Sequence, residues 1–125
     1  MSRWYPSVDD VLAFHDIQIR LFGGAPGVRD MGLVEMAVYR PQTGYYVDIL
    51  QEAAALWESL MMNHPFIDGN KRVAADVMLT FLRVNNINVT ADSQAMIKFI
   101  YGLFDSKSVT FKYLDAWLRE NTEAL

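Results

Sequence analysis

Nine residues near the middle of the chain, His64 to Arg72, carry side chains that could perform chemistry together (HPFIDGNKR). They include a histidine, a carboxylate, an amide and two adjacent cations, and long apolar segments lie on both sides. Because Pro65 disfavours helical backbone at the residue before it, the preceding helix is expected to end near Asn63. The next helix is expected to begin near Asn70. The sequence therefore predicts a polar loop that leads directly into a helix N-terminus.

Such a loop is suited to binding an anion. The first backbone N–H groups of a helix have no partner within the helix, and the helix dipole favours negative charge there. Gly69 lets the backbone approach a ligand closely, and the amide of Asn70 could cap the helix or hold a phosphate oxygen. Lys71 and Arg72 oppose the dipole in the first turn, and a bound polyanion would remove that conflict. The arginine can hold phosphate through two hydrogen bonds, and the lysine acts as a point charge.

Two further side chains would complete a site for group transfer. Mg²⁺ usually binds one or two carboxylates together with substrate phosphates, so Asp68 is a candidate ligand. A neutral His64 could accept the proton of an attacking hydroxyl. Together these residues would suit transfer of a group from a nucleoside triphosphate to an alcohol.

Each of these residues alone has a simpler interpretation. His64 could cap the end of a helix, and Asp68 with the following glycine could form a turn. Arg72 and Asp76 have the i, i+4 spacing of an ion pair along a helix. The combination is what favours a site. The P-loop pattern and the HExxH and CxxC motifs are all absent from the sequence.

Composition excludes several classes of protein. The chain has 125 residues, 52% of them hydrophobic, a formal net charge of −4 and no cysteine. We therefore expect no disulfide or thiolate metal site, and no direct nucleic-acid partner because a Lys/Arg-rich stripe is missing. No apolar run reaches the length of a membrane span, and the first residues lack the apolar stretch of a signal peptide. These features predict a cytoplasmic protein with no membrane partner.

Helical periodicity dominates the chain and predicts an all-α fold of five to six helices in a single domain, residues 1–125. The helices are expected to follow capping side chains, which are Ser7, Asp30, Asp48, and Asp92 or Ser93. The first helix should end at Gly23-Gly24, and its apolar positions are Val8, Val11, Leu12, Ile19 and Phe22. Arg29 is expected to fix the turn-rich loop around it. The tail, residues 119–125, is predicted to fray in solvent.

Two regions outside the loop each allow two interpretations. Residues 40–46 form a loop or a small extended flap, in which Tyr45 and Tyr46 could dock an extended target segment or pack as a lid. His15 could be a buried histidine with a hydrogen-bond partner, or it could support the candidate site from behind.

The nine residues resemble the signature of the Fic/Doc family, in its death-on-curing branch. The general pattern is H-x-F-x-[D/E]-G-N-G-R-x-x-R, and the matching residues are His64, Phe66, Asp68, Gly69, Asn70 and Arg72. The segments FHDIQIRLFGGAPGVRDMGLVEMAV and FLRVNNINV are also similar to family sequences, so the resemblance covers about residues 8–120. It implies an all-α Fic fold with the signature loop at the N-terminus of a central helix.

The resemblance also implies a role for each matching residue. His64 would be the general base, Phe66 would anchor the loop in the core, and Asp68 would hold Mg²⁺. Nucleotide phosphates would be bound at the helix start, by Gly69, Asn70, Lys71 and Arg72.

Two positions depart from the general pattern, because the second glycine is Lys71 and the final arginine is Ala75. The lysine would obstruct the nucleotide pose used for AMP transfer, and the lost arginine removes a phosphate clamp. The N-K-R form is that of the death-on-curing branch, which binds the nucleotide in reversed orientation and transfers the γ-phosphate of ATP. The resemblance thus implies a toxin that phosphorylates a Ser/Thr hydroxyl, with a threonine of elongation factor Tu as the target, and so halts translation.

Other functions stay open. Gly69 keeps the general Fic form where the death-on-curing branch can have alanine, which leaves AMP transfer as an alternative. A second alternative is a weakly catalytic Fic fold retained as a regulatory binding module. A metal-dependent hydrolase that uses His64 and Asp68 is the least favoured.

The chain has no evident internal inhibitor. Many Fic proteins carry an inhibitory helix with the pattern [S/T]-x-x-x-E-[G/N]. The only glutamate here that precedes Asn or Gly is Glu120, and Ala116 stands where Ser or Thr is needed. The resemblance therefore implies a separate Phd-like antitoxin, whose disordered tail folds onto the toxin.

Overall fold

A computed structural model describes residues 2–125, which form six α-helices and one two-stranded antiparallel sheet. The helices are α1 (Val8–Phe22), α2 (Met31–Tyr39), α3 (Ile49–Met62), α4 (Asn70–Val84), α5 (Ser93–Asp105) and α6 (Phe111–Glu120). The strands are β1 (Ile87–Val89) and β2 (Thr122–Ala124). The prediction of an all-α fold is confirmed. In the described part of the chain, no helix has the length and apolarity needed to cross a membrane.

Side-chain caps begin four of the helices at the positions expected from sequence. Ser7 and Asp10 form a reciprocal capping box at the start of α1. The carboxylates of Asp30, Asp48 and Asp92 accept backbone N–H groups at the starts of α2, α3 and α5. These local signals lie next to the segments they start, so they can be read without knowledge of the tertiary fold.

Helices α3 and α4 form the centre of the core. The side chains of Ala53–Ala55 are fully buried, and their small size allows the close approach of neighbouring helices. On α4, Val73, Val77 and Phe81 are also fully buried, and each contributes about 1.5–3 kcal/mol through burial. Helices α2 and α6 pack on α3, and α1 packs on α4. The loop between α3 and α4 is therefore held at both ends by deeply buried helices.

The prediction of a frayed tail over residues 119–125 is wrong. Residues Thr122–Ala124 pair antiparallel with Ile87–Val89, and the N–H of Leu125 donates to the carbonyl of Asn86 at 2.9 Å. A three-residue strand is too short to show an alternating pattern, and its partner is distant in sequence. The tail thus ties the segment after α4 to the end of α6.

Two smaller expectations are also decided. Phe22 is 63% exposed at the end of α1, so it is not one of that helix's core positions. Residues Arg40–Gln42 form a turn of 3₁₀-helix, and Gly44 has a φ of +81°. The region of residues 40–46 is therefore an irregular loop rather than an extended flap.

Candidate active site

Helix α4 begins on a glycine without a capping side chain. Gly69 occupies the cap position with φ +79° and ψ 12°, a left-handed conformation that residues with a side chain seldom adopt. Within residues 2–125, the backbone N–H groups of Asn70, Lys71 and Arg72 have no hydrogen-bond acceptor. The helix start therefore keeps three donors available to an anion.

The side chain of Asn70 closes the signature loop, residues 63–69, on itself. Its Nδ2 donates to the carbonyl of Phe66 and its Oδ1 accepts the N–H of Phe66, both at 3.0 Å. The residue is only 9% exposed. Both ends of the amide bind the loop backbone, and Asn70 is the first residue of α4, so its side chain does not cap that helix. The backbone N–H of Asn70 remains available for the predicted contact with phosphate.

Phe66 and His15 hold the loop against the core. The ring of Phe66 is buried and stacks on the imidazole of His15, with centroids 3.9 Å apart and planes at 6°. The buried imidazole donates from Nε2 to the carbonyl of Asp68 at 2.9 Å, which requires the tautomer protonated at Nε2. His15 is therefore both a buried histidine with a hydrogen-bond partner and a support for the candidate site, because its partner is a carbonyl of the signature loop.

Asp68 presents an oriented carboxylate at the surface. Oδ2 accepts the N–H of Ala25 at 3.2 Å, and Oδ1 accepts the N–H of Gly69 at 2.8 Å. These two hydrogen bonds, assisted by the charge of Arg72, lower the pKa of Asp68 below its ordinary value. The carboxylate is exposed and retains lone pairs for a metal ion. A Cβ at Gly24 would lie 2.7 Å from Oδ2, so the glycine permits this approach.

The turn-rich segment of residues 23–30 lies antiparallel along the signature loop. Val28 forms an isolated β-bridge with Phe66, and the N–H of Ile67 donates to the carbonyl of Gly27 at 3.2 Å. The only sequence signal for this pairing is the glycine content of the segment, which permits close backbone approach. The segment therefore supports the loop from the side of α1 and α2.

His64 is exposed and immediately follows Asn63, the C-cap of α3. The guanidinium of Arg29 donates to both carbonyls, from Nη2 to Asn63 at 2.8 Å and from Nε to His64 at 2.6 Å. The sequence predicted that Arg29 fixes its own loop. The guanidinium instead binds the signature loop, a contact between distant segments that no local pattern reveals.

Aromatic rings, not carboxylates, cover the two cations in the first turn of α4. Nζ of Lys71 lies 4.2 Å from the ring centroid of Phe104, and the guanidinium of Arg72 lies 5.2 Å from that of Phe22. Neither cation forms an ion pair with another residue of the described range, so the spacing of Arg72 and Asp76 does not produce one. Both positive charges therefore remain available beside the free N–H groups.

A cleft of about 630 Å³ opens beside these cations, between α1, α4 and α5. Phe22, Ile97 and Tyr101 are exposed apolar residues of its wall, and Ala75 and Asp76 of α4 also line it. The carboxyl of Asp76 is half-buried, and burial raises its pKa above the ordinary value. The cleft thus combines apolar walls with an acid that is poorly solvated.

The two tyrosines of the 40–46 region differ in their surroundings. The hydroxyl of Tyr46 accepts from Nε of Arg40 at 2.6 Å, and its ring packs 5.6 Å from that of Phe111. Tyr45 is 82% exposed. Tyr46 is therefore held by packing contacts and Tyr45 is not, and docking of a target by these two tyrosines stays a prediction.

Comparison with known proteins identifies the class of protein that has this all-α fold with such a loop at the start of a buried helix. A model of the Fic/DOC family matches residues 5–82, which include the whole signature loop. The "Toxin Doc" of Mycolicibacterium smegmatis is 45% identical over 93 residues, which are 70% of this chain and 69% of that protein. The "Protein kinase doc" of Escherichia phage P1 is 33% identical over 87 residues, 66% of this chain and 69% of that protein. The chain belongs to the Fic/Doc family.

The half-buried carboxyl of Asp76 gives a prediction for how stability depends on pH. Because the pKa of Asp76 is raised in the folded state, its ionisation opposes folding. The stability contributed by the protonated carboxyl is fully present below the ordinary aspartate pKa and is lost as pH rises through the folded-state pKa. Asp76→Asn should therefore melt at a higher temperature than the wild type at about pH 7, with the difference shrinking towards about pH 4.

Thermal unfolding of both proteins across this pH range is the measurement. A melting-temperature difference that does not change with pH would mean that the substitution acts through packing, not through ionisation.

Proposed function

We propose that this protein is a death-on-curing toxin that transfers the γ-phosphate of ATP to a hydroxyl group of a target protein. The observation that carries the proposal is the start of α4, where Lys71 and Arg72 lie beside three N–H groups that have no acceptor within residues 2–125. Neither cation has a carboxylate partner in that range. The relative named as a toxin supports the assignment as a toxin, and the relative named as a protein kinase supports phosphate transfer. We further propose that the chain forms one domain, because α5 and α6 contribute to the same core as α3 and α4.

In the proposed reaction, His64 accepts the proton of the target hydroxyl. The hydroxyl oxygen bonds to the γ-phosphorus while the bond from that phosphorus to the β–γ bridging oxygen breaks, so ADP leaves. The N–H groups at the helix start and the guanidinium of Arg72 stabilise the negative charge on the transferred group. His64 then releases its proton to solvent.

Asp68 fits the role of a carboxylate ligand for Mg²⁺ on nucleotide phosphates, where one or two carboxylates are usual. It is ionised at neutral pH, its pKa lies below the ordinary value, and two backbone N–H groups fix its orientation. When bound there, Mg²⁺ would neutralise part of the negative charge of the phosphates.

Two residues favour phosphate transfer over AMP transfer. Lys71 stands where the general pattern has glycine, and its side chain extends to the ring of Phe104 on α5. Ala75 stands where the general pattern has a phosphate-binding arginine, and it lines the cleft. The retained Gly69 supports AMP transfer as the alternative. We propose a threonine or serine of elongation factor Tu as the acceptor, which would place the action in the cytoplasm.

We also propose a Phd-like antitoxin as partner, with a segment that folds into the cleft beside α4. The apolar wall formed by Phe22, Ile97 and Tyr101 suits an amphipathic segment. Asp76 is half-buried and unpaired within the described chain, so a cation on the same segment would complement it. A bound segment would lie directly over Lys71 and Arg72 and exclude the nucleotide.

The reaction class is tested by supplying elongation factor Tu with ATP labelled at either the γ- or the α-phosphate. Label should pass from the γ-position only, and the target should gain the mass of one phosphate by intact-mass spectrometry. His64→Ala should lower the rate by about 10²- to 10⁴-fold because the general base is lost.

Transfer from the α-position, with the added mass of one AMP, would replace the proposal with AMP transfer. A wild type that modifies nothing and arrests growth no more than His64→Ala would support the binding module.

The approach of Gly24 to Asp68 allows a matched test of the metal site. Gly24→Ala and Gly23→Ala both place a side chain at positive φ, but a Cβ at Gly23 meets nothing within 4 Å. Only Gly24→Ala should displace the carboxylate, and the Mg²⁺ concentration for half-maximal rate should rise about 10- to 100-fold. The measurement is transfer rate against Mg²⁺ concentration. Equal behaviour of the two variants would remove Asp68 from the metal site.

The cleft is tested by placing a charge on its apolar wall. Ile97→Asp should leave transfer by the free protein unchanged and should raise the antitoxin concentration for half-inhibition at least about tenfold. Tyr113→Asp is the control, because it introduces the same charge at a residue of α6 that is also half-exposed, and it should have no effect. Undiminished inhibition of Ile97→Asp would exclude this cleft as the docking site.

A further inference from the structure

His64 has a backbone conformation that its sequence context disfavours. Its φ is +51°, in the left-handed region that residues with a side chain seldom adopt. The next residue is Pro65, which directs the preceding residue towards extended conformations. Some contact must therefore hold the backbone at this position.

The usual helix ending cannot supply that contact. His64 occupies the position after the C-cap of α3, where left-handed residues are common. In the Schellman form of that ending, the N–H of the following residue donates back to a carbonyl of the helix, but Pro65 has no N–H. In the simpler form, the N–H of the left-handed residue itself donates, but within residues 2–125 the N–H of His64 has no backbone acceptor.

Arg29 holds this turn from outside the helix, through hydrogen bonds to other carbonyls. Its guanidinium donates to the carbonyls of Asn63 and His64, at 2.8 and 2.6 Å. The backbone N–H groups of Arg29 and Asp30 donate to the carbonyl of Pro65, at 2.8 and 3.0 Å. Three consecutive carbonyls on both sides of the His64 Cα are thus bound by two adjacent residues.

We propose that Arg29 is a positioning residue that holds the His64 backbone left-handed and so sets the direction of its imidazole. The inference rests on the proposed function, in which His64 is the general base. Two donors in a rigid planar fork can hold two successive carbonyls at once, whereas the single ammonium of lysine lacks this geometry. The donors point to the backbone, so Arg29 acts on the reaction through His64.

A structural readout is available because the chain contains only two histidines. Selective ¹³C,¹⁵N-histidine labelling gives two sets of NMR signals, which His64→Ala assigns. In Arg29→Ala, the Cα signal of His64 should shift towards the value of an extended backbone, and its imidazole signals should also move. The signals of His15 should stay in place. Arg20→Ala removes an equally charged, exposed side chain from α1 and should move neither set.

Kinetics give the second readout. Arg29→Ala should lower kcat for phosphate transfer about 10- to 100-fold, as expected for a misdirected base, and should leave KM for ATP within about twofold. Arg29→Lys should recover part of kcat, since its ammonium can bind one of the two carbonyls. An unchanged kcat, or a rise in KM alone, would overturn the proposal, because the second result means direct contact with the nucleotide.

The two proposals fail separately. A wild type without transfer activity would defeat the proposed function, and the His64 signals of Arg29→Ala would still decide whether Arg29 sets the backbone. An active wild type with unmoved His64 signals in Arg29→Ala would defeat the Arg29 inference alone. If Arg29→Ala does not fold, Arg29→Gln and Arg29→Lys carry the same comparison.

Discussion

The candidate site depends on the pair of hydrogen bonds between the amide of Asn70 and the backbone of Phe66. They satisfy the polar groups of a buried turn, so the ring of Phe66 can enter the core against His15. They also direct the side chain of the first residue of α4 into the loop and away from the helix start. The helix therefore starts on Gly69 with its first N–H groups unbound, and the loop is rigid where it meets a ligand.

The electrostatics of the site follow from the same arrangement. Cations in the first turn of a helix are unfavourable, and here they rest on ring faces rather than on carboxylates. A ring face attracts a cation without cancelling its charge, so Lys71 and Arg72 keep their field at the helix start. Asp68 places one ionised group at the edge of that field, held by backbone N–H groups. The site is thus charged for a polyanion before one binds.

Sequence predicted the parts of this structure that depend on neighbouring residues. The caps of α1, α2, α3 and α5, the end of α3 before Pro65 and the start of α4 are local, and all lie where expected. The contacts that position the site join distant segments. No periodic signal in the sequence predicts the contacts of Arg29 with the signature loop, of Ala25 with Asp68, or of β2 with β1. Phe22 shows the same limit, because its place over Arg72 depends on how α1 crosses α4.

The cleft beside α4 also affects the tendency of the protein to self-associate when no partner covers this surface. Phe22 and Tyr101, on opposite sides of the cleft, are each more than half exposed to water. Contiguous apolar surface of this kind promotes self-association. A partner that binds only the folded chain shifts the folding equilibrium in its favour and removes this surface from solvent. Loss of such a partner would uncover the cations, and it would also shorten the time before the free protein self-associates.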